Sequence, residues 1–100
     1  MTIQFEEINQ LFKGYVICLS GYTSEEREML GKMIELYGGI YTEDMDSRTV
    51  SFLLSKGLLS DKAKHAKKWG VPVLKHQWLF DCIVERRFLS INNYIFQPSN

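Results

Sequence analysis

The chain has 100 residues, 45% apolar and 24% charged, which describes one ordinary soluble globular domain and excludes a disordered or fibrous one. Twelve basic residues balance twelve acidic ones, so no global field draws the molecule to nucleic acid or to a membrane surface, and an anion must be held by a local cluster. The two cysteines, Cys18 and Cys82, lie in apolar sequence without a CxxC pair, His65 and His76 match no zinc pattern, and the longest apolar runs are too short to span a bilayer.

In chain order, residues 1–11 read as a short N-terminal arm, and the domain runs over residues 12–100. Tyr15 to Leu19 is a near-continuous apolar run, the pattern of a strand buried on both faces. Thr23 and Glu26 form a capping-box pair, and Met29, Leu30, Met33, Ile34 and Tyr37 recur at helical spacing beyond it. Gly38-Gly39 stops that helix. Ile40 to Thr42 is a short strand, "EDMDSR" a polar turn, and "TVSFLLS" a second largely buried strand. Lys56 to Leu59 loops into Ser60, an N-cap for a helix over Asp61 to Trp69. Ala63, Ala66 and Trp69 form its packing side, and Lys62, Lys64, Lys67 and Lys68 its solvated side. Val71 to Leu74 is a strand that Pro72 confines to a sheet edge. His76 to Arg87 is a third helix with Trp78, Leu79, Cys82 and Ile83 on one face, and Tyr94 to Phe96 packs as a final extended piece.

Strands alternating with helices indicate an α/β domain with a small, mostly parallel sheet and helices on both faces. Parallel sheets carry functional groups outside the carboxyl ends of their strands. The stretch "LSGYTSEER" (residues 19–27) is a strand-to-helix joint at such an end, and Ser60 begins another. Both helix N-termini therefore open on the same side of the sheet. A helix N-terminus offers unpaired backbone N–H groups to an anion, although every strand-to-helix turn begins the same way.

The succession "FKGYVICLSG", "YGGIY" and "AKKWGVPVLKHQWLFDCI", with Gly38-Gly39 and the Trp-x3-Cys of Trp78 and Cys82, resembles a BRCT domain over residues 12–96. The resemblance implies a four-stranded parallel sheet of order 2-1-3-4 with three helices, two on one face and one on the other. It also implies a phosphoserine- or phosphothreonine-binding adaptor in a nuclear DNA-damage or replication-checkpoint scaffold. Phosphate-binding members use a Ser or Thr ending the first strand, the next Gly N–H and a Lys opening the second helix. These positions are Ser20, Gly21 and Lys62. "LSGYTSEER" further resembles the topoisomerase-II-binding, Cut-five type of scaffold, in which an Arg in the first helix adds a second cation; Arg27 stands there. Two positions depart from the family pattern: Lys75 replaces the hydroxyl residue that often caps the third helix, and Phe52 replaces a frequent His.

The expected partner is a phosphorylated Ser/Thr motif, with a neighbouring BRCT domain as a second partner and no membrane, cofactor or metal. Two other readings use the same residues. In one the domain is a non-phospho structural module, half of a tandem pair or a homodimer. In the other the lysines of "KAKHAKK" bind DNA backbone. No GxxxxGK loop, Ser/His/Asp set or suggestive carboxylate pair supports an enzyme.

Overall fold

A computed structural model of the chain describes residues 10–96. Four parallel strands, β1 (Val16–Ser20), β2 (Ile40–Thr42), β3 (Phe52–Ser55) and β4 (Val73–Leu74), lie in the order β2-β1-β3-β4. Three helices connect or follow them: α1 (Ser24–Leu36), α2 (Asp61–Trp69) and α3 (Gln77–Glu85), with a 3₁₀ turn over Ile91–Asn93. This is the expected sheet order and helix count. Most of the expected arm, residues 1–9, lies outside the described residues. Phe12, just beyond it, is fully buried and donates its N–H to the Tyr37 carbonyl (2.9 Å).

Strand periodicity sorts the core into two layers, because successive side chains point to opposite sheet faces. Ile17, Leu19, Phe52 and Leu54 face α1 and α3, where they meet Leu30, Ile34, Trp78, Leu79 and Cys82. Cys18 and Leu53 face the other way, toward Ala63 and Ala66 of α2. Two helices thus cover one face and one covers the other. Trp78 sits at the centre of the larger layer, its ring 5.4 Å from those of Phe12, Phe52 and Phe88, and its indole N–H donates to the Leu89 carbonyl (3.0 Å).

Local signals set the helix ends. The capping box of α1 is complete: the Glu26 N–H donates to Thr23 Oγ1 (3.2 Å) and the Thr23 N–H to Glu26 Oε1 (2.8 Å). At the other end Gly38 turns into the left-handed region (φ +88°), and the Gly38 and Gly39 N–H groups donate to the carbonyls of Glu35 and Ile34. Gly39 serves a second purpose. A Cβ there would lie 2.8 Å from Ile34 Cγ2 and 3.0 Å from Phe12 Cβ. Gly39→Ala should therefore destabilise by about 1–3 kcal/mol through overpacking, read as a lower urea midpoint; an unchanged midpoint would show that this corner has room to give.

Two expected packing residues are corrected. Trp69 is 42% exposed and stacks on His65 (5.2 Å, 13° between planes) instead of packing against the sheet. Each step of three residues rotates about 60° backward around a helix, so the Ala63–Ala66 stripe has turned away from the sheet by position 69. Met29, 51% exposed, likewise lies at the margin of a stripe centred on Leu30 and Ile34, with Gly31 buried beneath the Tyr41 ring. Element bounds are shorter than expected. Val71 donates its N–H to the Ala66 carbonyl, closing α2, so β4 begins only at Val73. α3 starts without a side-chain cap at His76, as the lysine at 75 implies, and stops at Arg86 in the left-handed region (φ 58°).

Both cysteines are fully buried and free, and burial pushes each thiol above its ordinary range. The reactive thiolate is then scarce as well as shielded. Thiol labelling of the native protein should run orders of magnitude slower than in denaturant, limited by opening of the structure. Equal rates would contradict the packing of β1 and α3.

Candidate anion site at the carboxyl end of the sheet

Ser20 and Ser55 pair in register, so β1 and β3 finish together. Beyond Ser20 the chain turns at Gly21, whose φ of +84° favours glycine. Thr23 then caps α1 on one face of the sheet, while Ser60 caps α2 on the other. Ser60 Oγ accepts the Ala63 N–H (3.1 Å) and shares a hydrogen bond with Ser20 Oγ (2.5 Å). Two hydroxyls joined by one bond leave one O–H proton uncommitted. The β1–α2 junction therefore retains a hydroxyl donor.

Lys62, in the first turn of α2, is half-buried and donates from Nζ to the Leu19 carbonyl (3.3 Å). This agrees with the lean of helical side chains toward their N-terminus. The ammonium thus lies beside the last residues of β1, with further donors to spare. Its charge also lowers the Cys18 thiol, against the larger effect of burial, while Asp44 in the turn after β2 raises it.

Arg27 takes a different direction. Its Nη2 donates to Ser24 Oγ (3.2 Å), and it lines a hollow with Ser24, Glu28, Tyr41 and Glu43 on the β2 side. Its Nε is buried with no hydrogen-bond partner. Ser20, Gly21 and Lys62 therefore gather at the end of β1. Arg27 flanks them, and no hydrogen bond joins it to any of the three among the described residues.

Sequence reasoning missed Lys56, which it left in a loop. Its N–H donates to the Ser20 carbonyl (3.3 Å), and its Nζ pairs with Glu26 (2.8 Å) and lies over the Tyr22 ring. That pairing, together with the Thr23 N–H, holds the Glu26 carboxyl below the usual range. Only the Ser20–Ser55 register, which depends on the assembled sheet, reveals that Lys56 stands at the same end. Among the described residues no cluster of His, Cys, Asp and Glu is placed to hold a metal ion, and no helix is long and apolar enough to cross a membrane.

The family model for the twin BRCT domain matches residues 15–78, from Tyr15 just before β1 to the buried Trp78. The chain is a BRCT domain. It is 34% identical to the DNA repair protein rev1 of Schizosaccharomyces pombe over 101 aligned positions, covering 99% of this chain but 11% of that protein. The BRCT domain of human DNA repair protein REV1 superimposes with a TM-score of 0.74 at 28% identity, over 89% of this chain and 90% of that one. The paired BRCT domains of Rad4, solved with a Crb2 phosphopeptide, superimpose with a TM-score of 0.80 at 22% identity, over 89% of this chain and 49% of that one. The BRCT domain described here thus spans about a tenth of the length of its curated repair relative.

Proposed function

We propose that this BRCT domain is a non-catalytic adaptor that binds a phosphorylated serine or threonine of a partner protein, within a nuclear DNA-repair or checkpoint assembly. The observation that carries the reading is the position of Lys62 Nζ, 3.3 Å from the carbonyl of Leu19, the residue that precedes Ser20 of the Ser20–Ser60 hydroxyl pair. A phosphate dianion is best held by short N–H and O–H hydrogen bonds with compensating positive charge, each charge-assisted contact contributing about 1.5–3 kcal/mol. The uncommitted hydroxyl, the Gly21 backbone and the Lys62 ammonium supply that chemistry at one strand end. Arg27 supplies a second cation once it leaves Ser24. Likeness to repair proteins supports the setting, and likeness to the Rad4 pair supports the fold.

The test is titration calorimetry of the domain with a phosphothreonine peptide, its unphosphorylated twin and duplex DNA over a salt series. The phosphopeptide alone is expected to bind with a shallow salt dependence. Tight duplex binding with a steep log–log salt slope would instead place the function on the exposed lysines of α2. Equal affinity for the two peptides would remove the phosphate reading.

A further inference from the structure

A second cationic hollow opens at the same end of the sheet, beyond β3 and β4. Ser55, Lys56, Lys75, His76, Gln77 and Phe96 line it. Its charged groups are unequal. Lys56 is already paired with Glu26, and Gln77 donates to Asp81 (2.9 Å), one turn into α3. Lys75 has no acidic partner among the described residues; its ammonium rests over the Phe96 ring at 5.7 Å, exposed to solvent. His76 turns its Nδ1 toward the Tyr22 hydroxyl (3.4 Å). Among the described residues, no acidic side chain pairs with Lys75, so the hollow carries a net positive charge there.

Its distance from the phosphate-binding residues follows from the sheet. Ser20 pairs with Ser55, and Leu54 pairs with Leu74, so Lys75, the residue that follows β4, lies two strands across from Ser20 at the same end of the sheet. Neighbouring strands lie about 4.8 Å apart, so Lys75 stands about 10 Å from Ser20, the span of about three residues of extended peptide. We propose that this hollow is a specificity subsite that takes an acidic side chain about three residues from the phosphorylated one. The domain would then prefer phosphosites in acidic sequence, the carboxylate resting between the Lys75 ammonium and the side-chain amide of Gln77, while the Ser55 hydroxyl, spent on the Gly57 carbonyl (2.7 Å), forms the floor.

The inference rests on the phosphate reading, and the experiment separates the two. Phosphothreonine peptides with alanine flanks are compared with peptides carrying one aspartate at each position up to four residues on either side. Parent protein should bind the best aspartate peptide about three- to five-fold more tightly than the alanine peptide, the range of a solvent-exposed ion pair, with the maximum about three positions away. In Lys75→Gln that ratio should fall to near one, whereas Lys62→Ala should weaken both peptides and keep it. A parent ratio of one, or a ratio that survives Lys75→Gln, overturns the subsite. If every phosphopeptide binds no better than its unphosphorylated twin, the phosphate reading and the subsite fail together.

Discussion

Trp78→Ala should leave the protein partly or largely unfolded at ambient temperature. The indole is fully buried, touches three aromatic rings and spends its N–H on the Leu89 carbonyl, so truncation opens a cavity and orphans an acceptor at once. Such a change costs about 3–5 kcal/mol in a core, against a total of about 5–15 kcal/mol for a small domain. Thermal melting followed by far-UV circular dichroism measures it. A midpoint within a few degrees of the parent would mean that the aromatic layer re-forms without Trp78.

Lys62→Ala should leave folding intact and cost binding of a phosphothreonine peptide about 1.5–3 kcal/mol, roughly a ten- to hundred-fold loss. Lys62 reaches the site across a partly exposed surface and fills no core space, so its removal should move stability by no more than about 0.5 kcal/mol. Arg27→Ala should lose less. Its guanidinium is engaged by Ser24 on the β2 side and must leave that bond before it contributes to binding. Because both cations serve one phosphate, the double variant should lose less than the sum of the single losses. Acid should weaken binding as pH falls through about 6, where the phosphate takes up its second proton and loses the dianion. Calorimetry on parent and variants at several pH values, with melts alongside, reads all four effects. Parent-like affinity in Lys62→Ala would make the β1–α1 joint a turn and nothing more.

What the sequence made legible were features decided within a few residues. Thr23 with Glu26, Ser60, and Gly38 with Gly39 each close hydrogen bonds to near neighbours, so their spacing is enough to place helix ends. Trp69 and Met29 were misplaced because a helical stripe is judged against the surface it covers, and that surface exists only once the sheet has formed. The same holds for the shortened start of β3. There the Ser51 hydroxyl accepts the Val16 N–H (3.0 Å) and the Ser51 N–H donates to the Val16 carbonyl (2.7 Å), a pairing across 35 positions. At the candidate site, a strand end and a helix start place Ser20 and Lys62 in the fold, and the BRCT resemblance singles them out as site residues. The Ser60 link, the Lys56–Glu26 pair and the direction of Arg27 depend on rotamers and register that no local pattern encodes.

The tail beside β4 has a consequence for how molecules of this kind meet. Lys75 donates its N–H to the Tyr94 carbonyl (2.9 Å), Phe96 donates to the Val73 carbonyl (3.0 Å), and Ile95 bridges Leu74 in the antiparallel sense. Tyr94 is itself tied to α3, its hydroxyl donating to Asp81 (2.7 Å), a bond that raises the phenol to about 12. The outward backbone groups at that margin are thus already spent. At the opposite margin β2 offers only three residues. An open sheet edge is a template on which further strands can add, copy upon copy, toward fibres. Here one edge is occupied by the chain's own tail and the other is too short to seed a ladder, which favours colloidal stability in concentrated solution.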